Sequence, residues 1–191
     1  MPKPDQITVK PSADSLTSAA QRFAKHGPAP VHLWNPDFCG DLDMRIARDG
    51  TWFYLGSPIG RLPLVKLFSN ILKREGNDYF LVTPVEKVGI KVEDVPFIAV
   101  DFEARDGVIT FETNVGDKVA LGRNHTMRIA FNHKDEPAPY INVRANMEAR
   151  IDRKSFYRLV DRAKVHMHRG KSWLGIWSGG LFFPFIQEDS L

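Results

Sequence analysis

The four residues Ala47-Arg48-Asp49-Gly50 recur, in the same order, as Ala104-Arg105-Asp106-Gly107. Asp-Gly between two apolar-rich runs is a strong hairpin signal, because a tight two-residue turn needs left-handed backbone that Asp and Gly tolerate. Met44–Ala47 and Thr51–Leu55 flank the first copy, and Phe97–Glu103 and Val108–Thr113 flank the second. Each half then reaches one helical stretch, Leu62–Glu75 or Asp152–His168, followed by an aromatic strand pair. This order predicts an α+β protein of two tandem, duplicated, strand-rich lobes, since strand runs broken by single helices do not suit βαβ winding. The join is expected near Glu93–Pro96. Residues 1–95 then hold an N-terminal helix and the first α+β lobe, and residues 96–191 the second.

Apolar spacing predicts three helices. The first runs from Ser12 or Asp14 to His26, with Leu16, Ala19, Ala20 and Phe23 on one face. The second opens at Pro63, carries Leu64, Leu67, Phe68, Ile71 and Leu72, and stops at Gly76. The third follows Asp152 as N-cap, with Phe156, Leu159, Val160, Ala163 and Met167 on one face. Further strands are expected at Tyr79–Val85, Lys87–Val92, Lys118–Leu121, Met127–Asn132, Tyr140–Ala149, Trp173–Trp177 and Leu181–Ile186.

With 43% hydrophobic and 26% charged residues, the chain has the balance of a globular protein with a core. Its first residues lack the apolar stretch of a secretory signal. The apolar-rich run Leu174–Ile186 is too short and too broken by Gly175, Ser178, Gly179 and Gly180 to span a membrane. One cysteine, Cys39, excludes an internal disulfide and fits a reducing compartment, so a cytoplasmic location is expected. The net charge of +3 is too small to argue for nucleic acid, which is not an expected partner. Residues 144–171 nevertheless carry nine Lys and Arg against three carboxylates. That excess either draws an anionic partner or is balanced by acidic neighbours in the fold.

The sequence has no phosphate-loop lysine motif and no Gly-x-Gly-x-x-Gly turn. Ser178 lacks the upstream glycine of a nucleophile elbow. No catalytic residue, no metal ligand set and no cofactor is therefore called for. His166 and His168 sit where the third helix is expected to end, where imidazoles complement the helix dipole better than they would bind a metal. Cys39 reads as a partly buried, inert thiol, since Asp37 and Asp41 nearby disfavour its thiolate. Asp41 with Asp43, and Glu93 with Asp94, read as turn and capping carboxylates. Trp52, Tyr54 and Trp173 read as core, whereas a turn at Trp177-Ser178-Gly179-Gly180 could present the Trp177 indole.

The loop Gly56–Arg61 leads into the second helix. Gly56 and Gly60 would let backbone approach a ligand, the helix start offers unpaired N–H groups, and Arg61 adds a guanidinium fork. It reads either as an anion site or as a tight turn in which Arg61 pairs with a carboxylate such as Glu86.

Cys39–Tyr54 (CGDLDMRIARDGTWFY), Ser57–Arg61 (SPIGR), Leu81–Ile90 (LVTPVEKVGI), Val92–Phe97 (VEDVPF), Phe156–Val160 (FYRLV) and Trp177–Gly180 (WSGG) resemble the bacterial family labelled domain of unknown function 1285. The resemblance implies a duplicated core whose C-terminal half is pleckstrin-homology-like, a nucleotide-like ligand where the halves meet, and a part in signal transduction. The expected function is a non-catalytic module that binds a small anionic ligand, with a signalling protein as a further partner. Arg61 and Arg144 would hold negative charge, Gly56 and Gly60 would line the loop, Glu86 and Lys87 would orient polar groups, and Trp177 would form a stacking wall. The rivals are an enzyme using Glu86 or His125, and a protein- or lipid-surface module using the basic third helix.

Overall fold

The computed structural model describes residues 12–23, 28–131 and 136–190. Its contacts divide the chain into two units: Met1–Ala47 with Thr51–Glu93, and Arg48–Gly50 with Asp94–Leu191.

In the first unit, α1 (Ala13–Gln21) starts at Ser12, whose hydroxyl accepts the Ser15 N–H, and it buries Leu16 and Ala20. The expected end of this helix at His26 lies outside the described residues. Six strands follow: β1 (Phe38–Ile46), β2 (Trp52–Tyr54), β3 (Ser57–Pro58), β4 (Leu72–Glu75), β5 (Asp78–Val82) and β6 (Lys87–Val92), with α2 (Leu62–Asn70) between β3 and β4. They form one sheet in the order β3-β2-β1-β6-β5-β4. Only β1 and β6 pair in parallel. Trp52 stacks on Phe68 of α2 at 6.3 Å, and both are fully buried, as are Leu16, Met44, Ile46 and Leu81.

The second unit has β7 (Phe97–Arg105), β8 (Val108–Thr113), β9 (Lys118–Ala120), β10 (Met127–Phe131), β11 (Pro137–Arg144) and β12 (Met147–Ile151). These form a sheet in the order β10-β11-β12-β7-β8-β9, with β12 and β7 its parallel pair. Read from its first strand, this is the topology of the first sheet: two three-stranded meanders joined through parallel first and sixth strands. Both Ala-Arg-Asp-Gly copies join the first strand of a sheet to its second. The α+β, strand-rich, tandem architecture expected from the sequence is what the chain forms. After β12 come α3 (Arg153–Val160) and a three-stranded antiparallel sheet, β13 (Lys164–His168), β14 (Lys171–Ser178) and β15 (Leu181–Gln187).

Three elements differ from expectation. The second helix ends at Asn70, because Ile71 leaves helical backbone (φ −106°, ψ 10°) and Leu72–Glu75 pairs with β5. The third helix ends at Val160. Residues 164–168 alternate with a period of two and pair with β14 around Arg169-Gly170, both at positive φ (51° and 78°). Ala163 and Met167 are therefore not on a helix face, and His166 and His168 lie in a strand. Tyr140–Ala149 is likewise two strands, since Ala145 and Asn146 adopt positive φ (45° and 60°) and turn the chain back.

Candidate functional site

The charge excess of residues 144–171 is divided by the fold. Arg144 donates to both oxygens of Asp117 at 2.7 and 2.6 Å and lies over the Phe97 ring at 4.8 Å. Burial lowers its pKa against the pull of Asp117. Arg158 pairs with Asp101, donates to the Phe102 carbonyl at 3.2 Å and covers the Phe102 ring. Hydrogen bonding from Arg158 in turn holds the Asp101 carboxyl below its usual value. The basic third helix, which over Asp152–His168 would line up Lys154, Arg158 and Arg162, is therefore broken. The middle member of that row is engaged, and Arg162 lies beyond the helix end.

The seven residues expected at a ligand site fall in both units. Gly56 (φ 76°) and Leu55 (φ 49°) form the two-residue turn between β2 and β3, so this glycine serves a hairpin and does not open into the helix. A Cβ on Gly60 would meet nothing within 4 Å. Arg61 is exposed at the N-cap of α2, its side chain makes no cap bond, and Glu86 instead accepts from the Ser15 hydroxyl at 3.4 Å. Lys87 donates to Glu75 at 2.5 Å and lies 4.4 Å from the centre of the Phe80 ring. Arg144 is bound to Asp117, and Trp177 is 45% exposed at the end of β14. Glu86 and Lys87 are thus engaged in local contacts, and of the three cations among these seven residues Arg61 is the one without a side-chain partner among the described residues.

A better-built concavity lies in the second unit. Cross-strand register places Arg128 opposite Tyr140, and Tyr140 opposite Arg150, so three strands contribute one row. The Tyr140 hydroxyl donates to Asp94, 3.1 Å from each carboxylate oxygen, and Arg150 stands 3.8 Å from the same carboxylate. The Arg128 guanidinium covers the Tyr140 ring at 4.3 Å and forks onto Glu148 at 2.7 Å twice. Burial, and then the adjacent Asp94 charge, push the Tyr140 hydroxyl pKa up, which keeps it a proton donor. Below this row, Asp152 accepts the Ser155 N–H at 2.7 Å and fixes the first turn of α3. That turn sets Arg153, Phe156 and Tyr157 on the wall of a cavity of about 600 Å³, with Arg48, Asp94, Phe131, Glu136, Tyr140 and Arg150 around the rest. Tyr157 and Phe131 are 59% and 51% exposed. Arg153 is exposed and makes no side-chain hydrogen bond or ion pair among the described residues.

Sequence reading missed this cavity. Its row exists only once the Ala145-Asn146 turn is recognised, because a single strand over residues 140–149 cannot set Tyr140 beside Arg150. Asp94 was visible only as a carboxylate at the join.

The other candidates are structural or isolated. His125 donates from Nδ1 to the Asn142 carbonyl at 3.1 Å. Cys39 is exposed and points its thiol at the Asp37 carbonyl, 3.4 Å away, which corrects the expectation of partial burial. It is the second residue of β1, ahead of the residues that face the core. Among the described residues no group of three or more His, Cys, Asp and Glu could hold a metal ion. No helix among them is long and apolar enough to cross a membrane.

Comparison with known proteins gives one family. A crystal structure of a DUF1285 family protein from Silicibacter pomeroyi DSS-3 is 55% identical, covers 94% of this chain and 98% of its own, and superposes with a TM-score of 0.84. A second, from Shewanella baltica OS155, is 28% identical with a TM-score of 0.52, covering 63% of this chain and 91% of its own. No curated protein matches the sequence. Residues 29–95 match the domain of unknown function (DUF1285), N-terminal domain, and residues 96–185 match the C-terminal domain of the same family. The chain belongs to the DUF1285 family.

Proposed function

We propose that the chain is a non-catalytic ligand-binding module of signal transduction, taking a small anionic, nucleotide-like molecule in the cavity of its second unit. The supporting observation is the wall of that cavity, which joins Arg153 and Arg150 to the rings of Phe131, Tyr140, Phe156 and Tyr157. Guanidinium groups suit phosphate oxygens, which they can meet with two parallel hydrogen bonds. Aromatic rings suit a planar base. A volume of about 600 Å³ lies within the usual range of small-molecule sites. Arg61 of the first unit offers one guanidinium without such rings, so the cavity is the stronger place for the ligand. The signalling part of the reading follows the family resemblance.

The test is a thermal-shift and calorimetric titration with nucleoside mono-, di- and triphosphates on wild type, Arg153→Ala and Tyr157→Ala. At least one nucleotide should stabilise the wild type. Arg153→Ala should weaken that binding about 10- to 100-fold, the value of a hydrogen bond to a charged group, while leaving the ligand-free melting temperature unchanged. Absence of stabilisation by every nucleotide, or an Arg153→Ala variant that binds like wild type, would refute the reading.

A further inference from the structure

The three-stranded sheet of the second unit has a chemical character that is concealed while its first strand, β13, is read as the end of the third helix. Register sets Lys164 opposite Gly175, His166 opposite Trp173 and Trp177 opposite Phe182. Along β14 and β15, Ile176, Ser178, Phe183 and Phe185 turn inward and are buried, while Trp177 turns outward. The His166 ring lies 4.8 Å from Trp177 and 4.9 Å from Phe182, and Trp177 lies 5.4 Å from Phe182. These three rings form an aromatic surface whose most exposed member is the Trp177 indole.

The indole is held in place. Its neighbour Ser178 is fully buried, accepts the Ile109 N–H at 2.9 Å and donates to the Leu121 carbonyl at 2.7 Å. The Gly179 N–H donates to the Gly107 carbonyl at 2.9 Å, which ties the β14–β15 turn to the β7–β8 turn. Beside the indole, Arg162, Lys164 and the end of the β7–β8 hairpin line an open cavity of about 300 Å³.

The surrounding charge is unbalanced. Arg144, Arg150 and Arg158 have carboxylate partners, but Arg162, Lys164, Arg169 and Lys171 form no ion pair among the described residues. Lys171 meets only the neutral Gln187 side chain, at 3.3 Å. Residues 162–171 hold no Asp or Glu and add His166 and His168. The net charge of +3, which argued against nucleic acid, averages over carboxylates that are engaged elsewhere.

We propose that this face binds single-stranded nucleic acid, with one base stacked on Trp177 and neighbouring phosphates held by Arg162 and Lys164. A rigid aromatic platform flanked by unpaired cations is the combination that binds single strands without sequence preference, because every base has a π-face and every nucleotide a phosphate. An acidic peptide or an anionic bilayer would satisfy the cations and leave the indole without a planar partner. The site shares no residue with the cavity of the proposed function, so the two readings stand or fall separately.

Fluorescence anisotropy of labelled oligo(dT) and oligo(U), each about twelve nucleotides long, tests this with the full chain at low salt. Parallel arms use poly-glutamate and phosphatidylserine vesicles. Wild type should bind both oligonucleotides, and Trp177 fluorescence should be quenched on binding. Trp177→Ala should weaken binding about tenfold, the value of one stacked base, and Trp177→Phe, which keeps a ring, should restore part of it. Arg162→Gln with Lys164→Gln, both exposed and safe for folding, should flatten the plot of log affinity against log salt by about 1.4, or 0.7 per phosphate contact. Arg153→Ala should bind oligonucleotide like wild type. No binding at low salt would overturn the proposal, as would Trp177 variants that bind like wild type. So would poly-glutamate or vesicles binding as tightly as oligonucleotide, which would reassign the surface to an acidic peptide or a membrane.

Discussion

Ser178→Ala should destabilise the second unit by more than its size suggests. In a two-residue hairpin such as β7–β8, residue pairs alternate between bonded and non-bonded. Arg105 and Val108 close the turn, so Ala104 and Ile109 are a non-bonded pair and the Ile109 N–H points away from β7. It is satisfied by the Ser178 hydroxyl at 2.9 Å, and the same hydroxyl donates to Leu121 at 2.7 Å. Alanine removes one oxygen and leaves a buried donor and a buried acceptor unpaired. Each such group costs about 1–3 kcal/mol, so the loss should be about 2–6 kcal/mol. For a chain of this size that lowers the melting temperature by about 4–24 °C, taking about 2–4 °C per kcal/mol. Scanning calorimetry is the suitable assay, because a chain of two units can unfold in two transitions and only the one belonging to the second unit should move. A shift below about 1 °C would refute the reasoning, by showing that water or another group satisfies both partners when the hydroxyl is gone.

Two further outcomes follow from the same geometry. Leu159 is fully buried on the inner face of α3, so Leu159→Ala should cost about 2–5 kcal/mol in denaturant unfolding, and an unchanged midpoint would show this face is not core. Hydrogen bonds from Lys87 and then Lys73 hold Glu75 below the usual glutamate value, so its contribution to stability is complete above about pH 4.3 and is lost as pH falls through its lower folded value. Glu75→Gln should flatten that acid limb of the stability curve, and a variant with the wild-type acid limb would contradict it.

The parts of this fold that were legible in the sequence are those fixed by neighbouring residues. Asp106-Gly107 announces its hairpin because both residues must take positive φ, and they do, at 50° and 76°. Ser12 and Asp152 announce helix starts because each cap is a contact between residues three apart. What was hidden depends on pairing across the chain. Leu72–Glu75 continues the apolar spacing of α2, and only β5 pulls it into a strand. Lys164–His168 alternates polar and apolar as a strand does, yet Met167 also falls on the face that a continued helix would share with Phe156, Leu159, Val160 and Ala163. The turn that decides the matter, Arg169-Gly170, has no Asn or Asp to mark it. The site suffered in the same way. Tyr140, Arg150 and Asp94 meet through register, while Gly56, which looked like ligand backbone, is consumed by a hairpin.

The repeat in the sequence marks a repeat of sheets, and the helices do not share it. In the first sheet α2 makes the passage from third strand to fourth; in the second sheet residues 121–126 make it without a helix. That passage is secured by backbone bonds from Leu121 to Ile109, Gly122 to His125 and Asn142 to Thr126, and by the His125 ring on the Asn142 carbonyl. His125, the residue a catalytic reading would have chosen as a base, thus does for the second sheet part of what α2 does for the first. With that passage closed locally, the second unit's helix comes after the sixth strand, where Phe156 packs on Phe185 at 5.7 Å. The extra sheet then carries on its outer side the cations of residues 162–171, which are not needed for any ion pair of the core. Of two like sheets, the one whose helix follows its sixth strand thus carries a surface that the other lacks. The oligonucleotide experiment probes that surface, and the nucleotide titration probes the cavity at the foot of α3.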